Sequence, residues 1–300
     1  FSFYLALYRC QTKFLDEKKG AHLNIAKLEQ DLREETGSSW TLGVSTLLSP
    51  RNPTEGIRDL LNHAPNLGRV EIALAREPDN KNKTVKKLNR LRAKQDLHYS
   101  VHAPFLYDDL AHPKDAIRDI YVEEGKMAID LASRIGANHV VFHPGHFFYR
   151  QNLPSLKLFE PLRRSRKYYL KNSLRSLTAL TDYGPPGIDI LIENLPQGLC
   201  SRSEEINYLL SQLEGARFLL DIGHAHISDS LDQLVKLEPQ HFHFHDNAGN
   251  KDSHKRLGEG TIDLDWLITR LKNYEGDKTI IFELYSRKDV LSSLKVLKYH

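Results

Sequence analysis

Residues 188–221 read IDILIENLPQGLCSRSEEINYLLSQLEGARFLLD, and the fold class follows from them. Ile188–Glu193 is a short run of aliphatic residues, the composition of a strand buried on both faces. Ser201-Arg-Ser-Glu204 has capping-box spacing and predicts the start of a helix carrying Ile206, Leu209 and Leu210. Ala216–Asp221 returns to an apolar run. Strand, helix and strand within about 30 residues make a parallel crossover unit.

The same alternation extends in both directions. Further strand-like runs lie at Thr41–Thr46, Arg69–Leu74, His98–His102, Asn138–His143, Gln240–His245 and Lys278–Leu284. Helix signals lie between them. Ile117, Ile120, Met127, Leu131 and Ile135 share one predicted face, with Gly136 as the stop, and Asp263 precedes a helix carrying Trp266, Leu267 and Leu271. Eight strand–helix units in roughly 250 residues specify an α/β fold of the (β/α)8 TIM-barrel type. A doubly wound open sheet would carry a glycine-rich turn after its first strand. Here that strand runs into Thr46-Leu-Leu-Ser-Pro50.

The barrel is expected over residues 41–300, with residues 1–40 as an N-terminal helical appendage and linker. Ile25, Leu28 and Leu32 mark one helical face in Asn24–Glu35, and Gly37-Ser-Ser39 breaks it. The 300 residues are 40% hydrophobic and 27% charged, which excludes a disordered or fibrous chain. No apolar run is long enough to span a bilayer, so no membrane association is expected. Two cysteines make no disulfide framework and point to a reducing, cytoplasmic compartment. A net charge of +3 neither demands nor excludes nucleic acid. Fifteen histidines are the unusual feature.

In such a barrel the C-terminal strand ends build the active site. Read in order, they present His102, His143, Glu193, Asp221 with His224 three residues on, His243 and Glu283, and the loop after the seventh strand adds Asp252 and His254. Imidazole and carboxylate ligate zinc, manganese and iron. Nine donors exceed what one ion needs and suit a cluster of two or three, able to clamp both oxygens of a phosphoryl displacement. Any of these histidines taken singly would more often be a satisfied core residue than a ligand, and Asp252 and His254 a solvated turn.

The motifs His143-Pro-Gly-His146, Glu193-Asn-Leu-Pro196, Asp221-Ile-Gly-His224, His243-Phe-His-Asp246-Asn247, Asp252-Ser-His254 with Leu257-Gly-Glu-Gly260, and Glu283 occur in this order. Together they resemble the xylose isomerase-like TIM-barrel superfamily and, within it, the endonuclease IV family (AP endonuclease family 2). The resemblance implies a hydrolase that cuts DNA at abasic sites with three zinc ions. It places their ligands on His102, His143, Glu193, Asp221, His224, His243, Asp252, His254 and Glu283. Sugar isomerases and epimerases of the superfamily use one divalent ion, manganese or magnesium, on two Glu, an Asp and a His; Glu193, Asp221, His243 and Glu283 make that subset. In either reading Glu193 and Glu283 are the expected catalytic carboxylates. Two departures from the DNA enzyme stand out. The loop after His143 is one residue shorter, and Phe105 stands where a DNA-contacting Tyr is expected.

Substrate contacts are expected from Phe105, His146, His245, Asp246 and Arg150, the last ending the aromatic stretch Phe147–Arg150. Lys81–Lys94 and Arg163–Lys171 are basic and suit a phosphate backbone, although charge runs on helices usually mark a solvated face. The expected partner is DNA or a small sugar phosphate, with no obligatory protein partner.

Overall fold

The computed structural model describes residues 24–49, 52–75, 82–106, 108–146 and 162–299. Its strands are β1 (Trp40–Ser45), β2 (Arg69–Ala73), β3 (His98–His102), β4 (Ala137–Phe142), β5 (Asp189–Glu193), β6 (Ala216–Asp221), β7 (His241–Phe244) and β8 (Lys278–Phe282). Each pairs in parallel with the next, and β8 pairs with β1, so the sheet closes into an eight-stranded barrel. All eight expected runs are strands, with ends shifted by two residues at most. Helices connect them, among them α1 (Ile25–Thr36) ahead of β1 and Asp115–Ile135 between β3 and β4. No described helix is long and apolar enough to cross a membrane.

Two apolar layers hold the barrel. The large one lies between sheet and helices and includes Leu42, Val140, Ile192, Leu220, Phe242 and Ile280. The small one is a plug of Val141, Leu191 and Leu219 inside the barrel. Alternation along a strand explains the split, because successive side chains point to opposite faces. The inward parity is therefore Arg69, Glu71 on β2; His139, Val141, His143 on β4; Asp189, Leu191, Glu193 on β5; and His241, His243, His245 along β7. Polar residues occupy both ends of the interior and the apolar plug sits between them.

Helix α1 is capped by Asn24, which accepts from Lys27 N at 3.1 Å, and ends at Gly37 in the left-handed conformation. Ile25, Leu28 and Leu32 are buried in the large core. The Glu29 side chain accepts from Leu42 N at 2.7 Å, so α1 is tied to β1. Residues 1–23 lie outside the described part.

Three local expectations are corrected. The helix Ser203–Gln212 has Arg202 at its N-cap with no side-chain bond, so the capping box at Ser201 is not made. Arg166 instead pairs with Glu205 and donates to Ser201 Oγ, and Glu205 also accepts from Cys200 N. Ile120 and Trp266, expected on buried helical faces, are exposed. Asp263 does cap its helix, accepting from Trp266 N at 3.0 Å.

Candidate metal centre

The C-terminal strand ends bring the nine expected donors to one mouth. His102 ends β3, Glu193 ends β5, Asp221 ends β6, His243 lies in β7, and His143 and Glu283 follow β4 and β8 directly. Among the described residues, donor atoms fall into four groups, each within 4.8 Å: His102, His143 and Glu193; His102, His243 and Glu283; Glu193, Asp221, His243 and Glu283; His224, His245, Asp252 and His254. His102, Glu193, His243 and Glu283 are each shared between two groups, and the group of His224, His245, Asp252 and His254 stands apart from them.

What makes these histidines usable as ligands is the partner behind each ring. A neutral imidazole has one N–H donor and one lone-pair nitrogen. His102 Nδ1 lies 2.9 Å from Ala103 O, His224 Nδ1 2.9 Å from Asn194 O, and His254 Nδ1 2.8 Å from Glu283 O. A main-chain carbonyl can only accept, so the proton sits on Nδ1 and Nε2 is left facing the centre. His143 turns Nδ1 to Asp108 Oδ2 at 3.4 Å, and His243 turns Nε2 to Glu71 Oε1 at 3.1 Å. Sequence reading missed both Asp108 and Glu71. A carboxylate on the inward parity of a strand was the available signal for Glu71.

The separations between facing atoms suit inserted cations. Ligands 2.0–2.1 Å from a tetrahedral ion stand ~3.3 Å apart. His224 and His254 Nε2 lie 3.3 and 3.2 Å from Asp252 Oδ2. Glu193 Oε2 lies 3.0 Å from His102 Nε2 and 3.5 Å from His143 Nε2. His243 Nδ1 lies 3.4 Å from Glu193 Oε1 and 3.5 Å from Glu283 Oε2. Among the described residues, Glu193 Oε1, Glu283 Oε1 and His243 Nδ1 are buried without a hydrogen-bond partner. Each such atom costs about 1–3 kcal/mol, and a divalent cation among them removes that cost.

Electrostatics agrees. Burial pushes the Glu193 carboxyl up, but the His243, His143 and His102 imidazoles outweigh it and hold Glu193 well below the usual carboxylate range. Burial lowers His143, yet the Asp108 and Glu193 carboxylates push it up to about 10. His254 is likewise raised to about 9 against burial, by Asp252 and Glu283. Without an ion the centre is loaded with protons that a cation must displace.

Local backbone serves the same end. His254 has φ 41°, in the left-handed region, a strain of about 1–2 kcal/mol for a residue with a Cβ. Its bond to Glu283 O pins the ring in that conformation. Gly145, in the loop after β4, has φ 102°, and a Cβ there would stand 2.4 Å from Ala111 N. This tight turn carries the chain from His143 to His146.

The expected substrate contacts divide. The Phe105 ring packs edge-on against His102 at 5.1 Å and is half-buried at the mouth. His146 is partly exposed, with Nε2 3.8 Å from Asp108. His245 lies within the centre, its Nε2 3.1 Å from Asp221 Oδ2 and its ring stacked on His254 at 3.9 Å. Asp246 departs from expectation. It is fully buried and its oxygens accept from the backbone N–H of Asn247, Gly258, Gly260 and Ile262, so it fastens the loop after β7 rather than facing a substrate. Arg150 lies outside the described residues. Tyr285, which sequence reading passed over, is exposed at the mouth with its ring 5.2 Å from His254. In the second basic stretch, the Arg166 side chain is engaged by Glu205, Ser201 and Gly198 O.

A closed parallel barrel with buried imidazoles and carboxylates gathered at its C-terminal mouth defines a barrel-enzyme scaffold with a candidate metal centre. The chain belongs to the xylose isomerase-like TIM barrel family, whose pattern matches residues 66–300. It is 30% identical over 280 residues to the uncharacterized protein MJ1311 of Methanocaldococcus jannaschii, covering 87% of this chain and 90% of that one. Among solved structures it is similar to a D-tagatose 3-epimerase-like protein, at 27% identity and TM-score 0.72 over 86% of this chain and 96% of that one. It also shares its fold with endonuclease IV from Thermus thermophilus, at 19% identity and TM-score 0.60 over 87% and 97% of the two chains. The family is one of enzymes, spanning isomerases, epimerases and endonuclease IV.

Proposed function

We propose that the chain is a zinc-dependent phosphodiesterase acting at abasic sites in DNA, with two or three ions at the barrel mouth. The size of the donor set carries this reading. Glu193, Asp221, His243 and Glu283 suffice for one ion. His102, His143, His224, Asp252 and His254 converge on the same mouth beyond that need. Burying so many ionisable groups around a single ion would leave several uncompensated, at a cost of several kcal/mol each.

Bound zinc supplies Lewis acidity toward a phosphoryl group and a nucleophile near neutral pH. The chain's residues do the rest. Glu193 stays ionised between the imidazoles, and its Oε1 is available to orient the attacking water. Glu283 faces the same space from β8. His245 steadies Asp221. Phe105 beside His102 and the exposed Tyr285 beside His254 are aromatic rings at the mouth against which a base or sugar flipped from the duplex can rest. The test is nicking of a duplex with one abasic site: chelator-sensitive cleavage supports the reading, and no cleavage by the zinc-loaded protein removes it.

Two observations favour a second reading. The four-residue group is complete in itself, and the chain is 27% identical to a D-tagatose 3-epimerase-like protein. A single manganese or magnesium there would hold vicinal oxygens of a small sugar or sugar phosphate, with Glu193 and Glu283 moving a proton beside the carbonyl. His102→Ala and Asp252→Ala separate the two: both disable the hydrolase and spare most of a single-ion epimerase.

A further inference from the structure

We propose that Glu71, on β2 within the barrel, is a positioning residue that holds His243 in the tautomer whose Nδ1 lone pair faces the mouth, an inference that rests on the metal reading above. Among the described residues Glu71 belongs to no donor group at the mouth, and it is 1% exposed. It sits opposite Ser100 in the β2–β3 register. Ser100 Oγ donates to Glu71 Oε2 at 3.1 Å, which fixes the carboxylate. The other oxygen, Oε1, lies 3.1 Å from His243 Nε2, an ion-pair distance, and among the described residues neither atom has a hydrogen-bond partner, so each is the nearest group able to satisfy the other.

The consequence follows from imidazole chemistry. His243 is fully buried, and its Nδ1 faces Glu193 Oε1 and Glu283 Oε2. With the ring proton on Nε2, toward Glu71, the Nδ1 lone pair is free for a cation. With the proton on Nδ1, the ring would donate to Glu193 or Glu283 instead and the ligand nitrogen would be lost. The apolar plug of Val141, Leu191 and Leu219 cannot accept a proton, and Glu71 is the one carboxylate within ion-pair distance of Nε2 among the described residues. Glu71 is thus the group that selects between the tautomers, and its charge makes the ring a stronger ligand. Carboxylates placed behind ligating histidines typically change metal affinity 10–100-fold.

A small cavity of about 10 Å3 adjoins Glu71, lined by Arg69, Ser100, His139 and His241 together with the apolar Leu191 and Leu219. It is on the scale of one water. A Glu71→Gln change therefore has room to be accommodated.

The experiment uses the full chain with selectively 15N-labelled histidine and zinc as the probe. In the zinc-loaded wild type, the His243 signals should show a protonated Nε2 and a metal-bound Nδ1. A metal-bound Nε2 overturns the proposal. In Glu71→Gln, chelator competition should show a 10–100-fold loss of affinity for the ion that uses His243. The ion held by His224, Asp252 and His254 should keep wild-type affinity. Unchanged affinity throughout, with an unchanged His243 spectrum, overturns the proposal. If Glu71→Gln does not fold, Ser100→Ala frees the same carboxylate more gently and should shift the His243 signals in the same direction; no shift overturns it. A wild type that binds no zinc sinks the metal reading and this inference together. Zinc binding without abasic-site nicking removes only the proposed reaction and leaves Glu71 in place.

Discussion

At the scale of single residues, the centre works by paired nitrogens. His102, His224 and His254 each give one nitrogen to a main-chain carbonyl and turn the other inward. The inward donors were legible from sequence because strand ends in a barrel converge. Their carbonyl partners were not, since a main-chain oxygen leaves no mark in the residue string. Asp108 was hidden for a related reason: only the folded loop brings it to His143. Two predictions belong here. His143 and His254 are pushed to about 10 and about 9, above the ordinary histidine value, so at pH 7 without an ion both carry a proton on the inward side. A cation competes with those protons, so zinc affinity should rise between pH 6.5 and 8.5, with proton release visible by calorimetry in buffers of different ionisation enthalpy. A flat profile would contradict the proton-loaded centre. His102→Ala and Asp252→Ala should each lower abasic-site nicking roughly 100-fold or more, measured by steady-state cleavage, while far-ultraviolet circular dichroism shows both chelated variants still folded.

At the scale of elements, the strands were readable almost residue by residue, because buried parallel strands are continuous apolar runs. Helix faces were less so. Ile120 and Trp266 fit a 3.6-residue spacing yet face solvent, since spacing names a stripe but not its edge. The unmade capping box at Ser201 has a long-range cause: Arg166, some 35 residues earlier in the chain, takes Ser201 and Glu205 for itself. The plug inside the barrel gives a packing prediction. Leu191→Ala should cost about 2–5 kcal/mol in denaturant unfolding, because Val141 and Leu219 cannot collapse into the gap from fixed strands. The strand starts give one on pH. Burial, with the Arg69 and Arg217 charges, lowers His139 to about 4. The unfolded chain takes up that proton near the ordinary value of 6.5 and the folded one only near 4, so stability falls as pH drops through this window. His139→Gln should lose less stability than wild type between pH 7 and 4.5, by on the order of 2 kcal/mol in urea unfolding. Equal losses would contradict the assignment.

At the scale of the whole molecule, the barrel sorts its polar residues by end. The bottom carries Arg69, His139, Asp189, Arg217 and His241, and α1 joins the barrel at the start of β1. The mouth carries the imidazoles and carboxylates. Architecture and mouth were both legible because the eightfold alternation and the strand-end donors reinforce one another across the chain. Substrate choice was not, because it depends on how the loops above the strands are shaped, and residues 147–161 lie outside the described part. The mouth's donor set is large enough for more than one ion. Elemental analysis of the purified full chain after zinc loading and removal of loosely bound metal tests it directly. Two or three zinc ions per chain are expected, falling by at least one in Asp252→Ala. A single ion in both proteins, or none, would contradict it.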